Sequence, residues 1–531
     1  MSTIETVWWL FFFAAVGLCV GSFLNVVIYR IPLGLSIGRP VWSFCPHCQA
    51  RIRWYDNLPL ISYLWLRARA RCCGGSISPR YPLIEVATAV LLVMLLDAFL
   101  IGRVRSGLDD VACGLSWQLA ADWPIYLAHV ILFACLLAMS AIDIEHYWID
   151  TLFALFAVLA GCLLHALWTP HYSFERIGGG GLSQAGWTRP GDGTASVCLA
   201  AFLAMTVVGV VELFRPQPDE TPAEADATPE PAQETTAPDR EEAAGAALPV
   251  GVSDPGPAGP LSGDPPGEMT EAAPPAQPAP ADPFRGWILA WALAAVLAAL
   301  IVAGVRANAS DDPARFAQWR YGLPLLGYFG LIVLVGAARR PADTQIIAAI
   351  NSERPDARRM VLRELCRLLP ALALACATLL VYLYFEPGRR WLRTVLHWSP
   401  TASGQWQPVF GLATAAAGFV VAAGIGWAVR IGGTLVFGRE AFGDGDVHIM
   451  AAAGCVAGWP VVALGFVITC LIALAGWALL LPFKQTRAIP LVPWLSLAFL
   501  GTVVFLGPLL EFQPVRNLTE LVELIGLGAK S

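Results

Sequence analysis

Long apolar runs separated by short polar stretches dominate this chain. About twelve of them are long enough, or nearly long enough, to cross a bilayer, because a helix of about 20 residues spans its hydrocarbon core. The predicted spans are 8–29, 82–102, 124–143, 151–168, 195–214, 286–305, 323–338, 366–385, 408–430, 446–459, 460–482 and 490–510. The pattern predicts an all-α polytopic membrane protein of about twelve transmembrane helices, whose first span is a retained anchor.

The composition supports a membrane protein and sets one segment apart. The 531 residues are 56% hydrophobic and 14% charged, and the mean hydropathy is +0.61, values that exclude an ordinary soluble protein. Residues 215–284 hold fourteen acidic and two basic side chains, so the rest of the chain carries about +6 of the net charge of −6. Because this segment is rich in Pro and Ala and poor in aromatics, we interpret it as a disordered linker; the alternative is a docking tail for a basic partner.

The placement of arginines predicts the orientation in the membrane. Eight arginines lie in residues 30–80, so we expect this stretch to be cytoplasmic and the N-terminus to be outside. Counting spans from there places the end of the third predicted span and the start of the tenth at the same cytoplasmic face.

An aspartate lies at each of these two positions. Asp143 ends the third span, and Asp446 begins the tenth in the sequence FGDGD. A carboxylate there is costly unless it pairs, meets water or performs chemistry. Two neighbouring carboxylates suit an aspartic protease, since one keeps a proton while the other acts as a base. We predict Asp143 and Asp446 as catalytic, with helix capping as the alternative for Asp446. Gly443 and Gly445 are predicted to bind substrate, through close backbone approach and positive φ.

Four cysteines lie in the arginine-rich stretch: Cys45, Cys48, Cys72 and Cys73. In a reducing compartment such a cluster is typical of a metal site rather than of disulfides. Four thiolates would bind Zn²⁺ tetrahedrally. The adjacent pair Cys72 and Cys73 makes the second half irregular, so two alternatives stay open. These are three thiolates with His47, and a small domain with free thiols.

Several longer motifs in this order resemble one known family. They are 21–32 (GSFLNVVIYRIP), 45–48 (CPHC), 53–59 (RWYDNLP), 77–85 (ISPRYPLIE), 142–143 (ID), 440–458 and 489–490 (IP). The chain resembles the type IV prepilin peptidases, which are leader peptidases and N-methyltransferases, over roughly 1–168 and 408–510. The resemblance implies a helical bundle with a small cytoplasmic domain after the first span, catalytic aspartates at Asp143 and Asp446, and S-adenosylmethionine as the methyl donor.

The chain departs from the family pattern at three places. The family has a second Cys-x-x-Cys pair, and its first cysteine falls on Ala70 here. Asp150 lies near the position of a usual proline, so we expect the start of the following helix to differ. Residues from about 170 to 405, with four predicted spans, have no family counterpart that we can place.

These observations predict the domain organisation. The predicted parts are a first anchor (1–30), a cytoplasmic Cys-containing methyltransferase-type domain (31–81), a first peptidase part (82–168), an insertion (169–407) that includes the linker 215–284, a second peptidase part (408–510) and a C-terminal tail (511–531).

The predicted function is a multi-pass inner-membrane endopeptidase that removes the leader from type IV prepilin or pseudopilin precursors and methylates the new N-terminus. We expect membrane lipid around the spans and no nucleic-acid partner. The alternatives are a peptidase without methyltransferase activity and, from another class, a polytopic transporter or scaffold. A transporter would favour paired ionisable groups near the bilayer midplane and inverted repeats.

Overall fold

The computed structural model of the chain describes residues 3–102, 104–105, 115–146, 149–168, 174–177, 180–183, 187–213, 321–330, 357–402, 406–438, 440–480 and 490–513. Most of this part is helical. The helices are α1 (Thr3–Arg30), α2 (Ile61–Trp65), α3 (Arg80–Leu96), α4 (Leu115–His146), α5 (Thr151–Leu167), α6 (Asp192–Leu213), α7 (321–330), α8 (Ala357–Tyr384), α9 (Glu386–Leu396), α10 (Pro408–Phe437), α11 (Asp444–Ala457), α12 (Trp459–Leu480) and α13 (Val492–Glu511).

The prediction of an all-α polytopic membrane protein is confirmed. Eight of the described helices are long and apolar enough to cross a membrane, namely α1, α3, α4, α6, α8, α10, α12 and α13. Two further predicted spans are shorter helices, with 17 residues in α5 and 14 in α11. The predicted span 286–305, the second half of 323–338 and the linker 215–284 lie outside the described residues.

The described residues include a small antiparallel sheet that the sequence did not predict. It contains β1 (Phe174–Ile177), β2 (Gly180–Ser183) and β3 (Thr188–Arg189), in the order β1-β2-β3. Strands of two to four residues are too short to show an alternating pattern in the sequence.

Glycines bring the central helices into backbone contact. A Cβ on Gly418 of α10 would lie 2.0 Å from the carbonyl oxygen of Gly454 on α11, and a Cβ on Gly454 would lie 2.3 Å from that of Gly418. Gly21 of α1 lies equally close to α3, since its Cβ would be 2.5 Å from the Cα of Glu85. Small residues allow such close packing where lipid offers no hydrophobic driving force between helices.

We expect Gly418→Ala to destabilise the protein by about 1–3 kcal/mol, because the added methyl group meets backbone that cannot rotate away. The matched control is Gly424→Ala on the same helix, where nothing lies within 4 Å of the added atom. Thermal unfolding in detergent would compare the two variants. Equal melting temperatures would contradict the close contact of α10 with α11.

Both ends of α11 are defined by local features. Its N-terminus follows the glycine-rich turn, and Gly458, with φ of 88°, ends it. The last two carbonyl groups accept hydrogen bonds from buried cations or polar rings. His165 Nε2 lies 3.0 Å from the oxygen of Val456, and Arg105 Nη2 donates to that of Ala457 at 2.8 Å. Donors at a helix C-terminus complement its dipole.

Candidate active site

The carboxylate of Asp143 lies at the meeting point of two helices. Asp143 is in the last turns of α4 and is 5% exposed. Its Oδ2 accepts a hydrogen bond of 3.2 Å from the backbone N–H of Val492, the first residue of α13. A helix N-terminus carries a positive partial charge, so this contact favours a negative carboxylate.

Asp446 is in a different hydrogen-bonding environment. It lies in the first turn of α11 and is 7% exposed. Its Oδ1 is buried and has no hydrogen-bond partner among the described residues. α4 and α11 are in contact, and the carboxylates of Asp143 and Asp446 lie close enough to interact electrostatically. The two predicted catalytic carboxylates therefore lie near each other. Asp143 accepts a hydrogen bond at the N-terminus of α13, whereas Oδ1 of Asp446 accepts none among the described residues.

Two glycines at the start of α11 leave little space for a side chain. A Cβ on Gly443 would lie 2.9 Å from Oδ2 of Asp446, and a Cβ on Gly445 would lie 3.0 Å from the side chain of Ile149, six residues after Asp143. The expectation of positive φ is wrong for both glycines, and Gly443 has φ of −65°. Close packing, rather than an unusual backbone conformation, therefore requires glycine here.

The acidic neighbours of Asp143 have other roles. Glu145 lies at the surface and pairs with Arg80 at 2.5 Å. Asp150 caps α5, since its Oδ1 accepts a hydrogen bond of 2.9 Å from the N–H of Leu152. Asp150 thus starts the helix where the family has a proline, because Asp is a favourable N-cap residue.

A buried arginine beside the turn that precedes α11 was not identified from the sequence. Arg430 of α10 is 5% exposed and pairs with Glu364 of α8 and Glu440, and it donates to the carbonyl oxygen of Phe442. The sequence signal for this residue was a single arginine at the end of an apolar span, ten residues before a glutamate.

The four cysteines converge after α1. Cys45 is buried, the other three are exposed, and all four Sγ atoms lie within 4.8 Å of one another. Three of the separations are 3.8 Å for Cys45 and Cys73, 3.3 Å for Cys48 and Cys72, and 4.0 Å for Cys72 and Cys73. Tetrahedral Zn–S bonds of about 2.3 Å need sulfur atoms about 3.8 Å apart. The donor set therefore fits one zinc ion.

The cysteines lie in two turns that have the same backbone hydrogen-bonding pattern. In the first, the N–H of Gln49 donates to the oxygen of Cys45 at 2.9 Å. In the second, the N–H of Gly74 donates to the oxygen of Ala70 at 2.8 Å. Gln49 and Gly74 both have positive φ, of 58° and 69°. Ala70 therefore occupies the position equivalent to Cys45, Cys73 the position equivalent to Cys48, and Cys72 supplies the fourth thiol from a shifted position.

His47 is not part of this cluster. Its Nε2 lies 3.1 Å from the carbonyl oxygen of Ser76, which it meets as a donor. Among the thiols, a backbone hydrogen bond from Ala50 lowers the pKa of Cys48, whereas the hydrogen bond with Cys48 raises the pKa of Cys72 to about 12. The geometry therefore favours the four-cysteine set over three thiolates with His47.

Two buried polar groups connect the Cys-containing segment to the membrane helices. Arg30, at the end of α1, donates to the carbonyl oxygens of four residues in the loop that follows, at 2.8–3.2 Å: Ser36, Ile37, Pro40 and Trp42. Glu85 of α3 accepts a hydrogen bond of 2.7 Å from the N–H of Leu60. The segment that contains the cysteines is thus attached to α1 and α3, which both pack against α4, the helix of Asp143.

We compared the chain with known proteins to test its resemblance to the type IV prepilin peptidases. The family model of the bacterial peptidase A24 N-terminal domain matches residues 15–99, which include the second half of α1, the four cysteines and α3. The resemblance to the type IV prepilin peptidases is confirmed. The matched residues lie within the first of the two segments over which it was predicted, and the second segment stays a prediction.

Three relatives are named prepilin leader peptidase/N-methyltransferase. That of Dickeya chrysanthemi is 40% identical over 157 residues, which cover 25% of this chain and 48% of the relative. That of Myxococcus xanthus is 39% identical over 153 residues, with 29% and 39% covered. That of Klebsiella pneumoniae is 50% identical over 93 residues, with 16% and 40% covered. The chain thus spans about half or less of the length of these relatives. No solved structure matches it.

Proposed function

We propose that the chain is a membrane aspartic endopeptidase that cleaves leader peptides from type IV prepilin-like precursors. The observation that carries the proposal is the convergence of two buried carboxylates, Asp143 and Asp446, at the ends of α4 and α11. Both lie at helix ends, which favours a peptidase over a transporter with ion sites at the midplane. The names of the relatives supply the substrate class.

The different surroundings of the two aspartates assign their roles. Asp143, which accepts the N–H of Val492, is the carboxylate that takes a proton from the attacking water. Asp446 keeps a proton and donates it to the oxygen of the scissile carbonyl, while the hydroxide adds to the carbonyl carbon. Collapse of this tetrahedral intermediate breaks the C–N bond, and the leaving amine receives the proton from Asp143. One hydroxyl of the intermediate returns its proton to Asp446 as the C=O bond re-forms, which restores both carboxyl groups to their starting states. The step needs no covalent intermediate.

Gly443 and Gly445 bind substrate in this proposal by keeping space open. A side chain at Gly443 would occupy the position above the Asp446 carboxylate, where the scissile carbonyl has to lie. Gly445 allows the start of α11 to pack closely against the side chain of Ile149. The substrate would present its basic leader at the cytoplasmic face of the inner membrane, where the arginine distribution predicts both aspartates to lie.

We further propose N-methylation of the new N-terminus with S-adenosylmethionine as donor, on the strength of the names of the relatives. No residues of this chain are assigned to the donor. Cys45, Cys48, Cys72 and Cys73 would hold a structural zinc ion that joins the two cysteine turns. A peptidase without methyltransferase activity remains the alternative, because Ala70 replaces a cysteine of the family pattern.

Mass spectrometry of a prepilin incubated with the purified protein in lipid tests the proposal. We expect loss of the leader in every case, and a gain of one methyl group only when S-adenosylmethionine is added. Loss of the leader alone would leave a peptidase. An unchanged prepilin, beside an active control enzyme, would refute the peptidase and move the transporter and scaffold alternatives forward.

A further inference from the structure

The inserted segment contributes buried polar groups to the helices that carry the aspartates. Tyr321 of α7 is 1% exposed and donates its hydroxyl to the carboxylate of Asp97, which follows α3. Glu364 of α8 is 4% exposed and accepts a hydrogen bond of 2.5 Å from Nε of Arg430 on α10. Both Tyr321 and Glu364 belong to the predicted insertion 169–407, which has no family counterpart. The insertion is therefore packed into the peptidase bundle at these points.

Arg430 connects the insertion to the turn that precedes Asp446. While Nε donates to Glu364, Nη1 donates to the carboxylate of Glu440 and to the carbonyl oxygen of Phe442. Nη2 lies 3.8 Å from the sulfur of Met360, which is also on α8. One planar guanidinium group thus contacts an inserted helix on one edge and the catalytic turn on the other.

The geometry of arginine explains why the inserted carboxylate matters for the turn. A guanidinium presents its donors in a fixed fork, so fixing one edge sets the direction of the other. Glu364 fixes the Nε edge of Arg430, which aims Nη1 at Phe442. Only residues 438–443 separate α10 from α11, and Phe442 is four residues before Asp446. The position of the Phe442 carbonyl group therefore determines how the chain enters α11.

We propose that Glu364 is a positioning residue of the peptidase: through Arg430 it holds the Glu440–Phe442 segment, and hence Asp446, in place for catalysis. The inference rests on the proposed function and extends it to the insertion. It does not require Glu364 to touch substrate. It assigns to an inserted helix a part in the geometry of the catalytic pair.

The test compares Glu364→Gln with Glu364→Asp and with a control in the same insertion. Glutamine keeps the shape and can still accept a hydrogen bond, but it loses the charge that orients Arg430. Aspartate keeps the charge on a side chain that is one methylene shorter. The control is Glu386→Gln in α9, where the carboxylate is 47% exposed and pairs with Arg389 and Arg390. Cleavage of a prepilin in lipid gives kcat and KM per folded molecule, and thermal unfolding gives the melting temperature.

We expect Glu364→Gln to lower kcat about tenfold and leave KM within about twofold, because misplacement of a catalytic group affects the chemical step. Glu364→Asp should recover most of the kcat, and Glu386→Gln should match the wild type. An unchanged kcat in Glu364→Gln would overturn the proposal. A lower melting temperature with normal kcat per folded molecule would also overturn it, since the role would then be structural only.

A second measurement separates this inference from the proposed function. Amide hydrogen exchange of residues 440–446 requires no substrate. We expect faster exchange there in Glu364→Gln and unchanged exchange in Glu386→Gln. If the wild type cleaved no prepilin, the peptidase would be refuted, and this exchange would still show whether Glu364 holds the turn. Equal exchange in wild type and Glu364→Gln would overturn the positioning role whatever the activity.

Discussion

Asparagine in place of Asp446 is expected to lower leader cleavage by about 10²- to 10⁴-fold, because the amide cannot supply the proton that the scissile carbonyl receives. Asp143→Asn should have an effect of the same size, since an amide cannot take a proton from water. The double variant should be little worse than either single variant, because the two carboxylates act as one unit. Cleavage of a prepilin, measured by mass spectrometry over time, gives these rates.

Two conservative variants are the controls for this result. Asp444→Asn changes a carboxylate two residues from Asp446 whose side chain is 46% exposed. Asp150→Asn changes a carboxylate seven residues from Asp143 and keeps a good N-cap for α5. Both should cleave at nearly the wild-type rate. Substantial cleavage by well-folded Asp446→Asn or Asp143→Asn would remove that residue from the proposed catalytic pair.

The second prediction with a large expected effect concerns the zinc content of the protein. The wild-type protein is expected to bind about one zinc ion per chain, and Cys72→Ser should lose most of it, because a hydroxyl is a poor replacement for a thiolate ligand. The equivalence of the two cysteine turns makes a sharper prediction. Adding Ala70→Cys to Cys72→Ser should restore zinc binding, since Ala70 occupies the position that Cys45 has in the first turn. Elemental analysis of purified protein measures the zinc content.

The matched control is Cys19→Ser, which removes an exposed thiol of α1 outside the cluster. It should keep the wild-type zinc content. A wild-type protein without zinc after purification and reconstitution with the ion would refute the metal site and favour free thiols. Failure of Ala70→Cys to restore binding, with zinc lost in Cys72→Ser, would show that the two turns are not equivalent in their ligand positions.

Hydropathy predicted the membrane helices because burial in lipid requires long apolar runs. Hydropathy predicted the ends of helices less accurately where another feature determines them. The structure starts α4 at Leu115, and the predicted span starts nine residues later at Pro124. The helix continues through Pro124, although a proline has no N–H to donate to the preceding turn. The short β1–β3 sheet had no pattern long enough to be found.

The pair of aspartates was predictable from the sequence, whereas its surroundings were not. Asp143 and Asp446 stood out because carboxylates at the ends of apolar runs are costly without a function. The contact of Asp143 with Val492 joins residues 349 apart and involves a backbone N–H, which no side-chain pattern reveals. The pair of Arg430 with Glu364 spans 66 residues and depends on how two helices pack. Such contacts follow from tertiary structure rather than from local sequence.

The length of α11 has a consequence for how the chain meets the bilayer. Fourteen residues of α-helix rise about 21 Å, whereas the hydrocarbon core of a bilayer is about 30 Å thick. The two ends of α11 therefore cannot lie in opposite headgroup layers. Asp446 is at one end, and Arg105 and His165 are at the other. If α11 crosses the bilayer, at least one of these polar groups lies at hydrocarbon depth, where the surrounding helices shield it from acyl chains. Bilayer thickness should accordingly change how far the catalytic pair lies below the lipid surface, so cleavage is expected to depend on acyl-chain length.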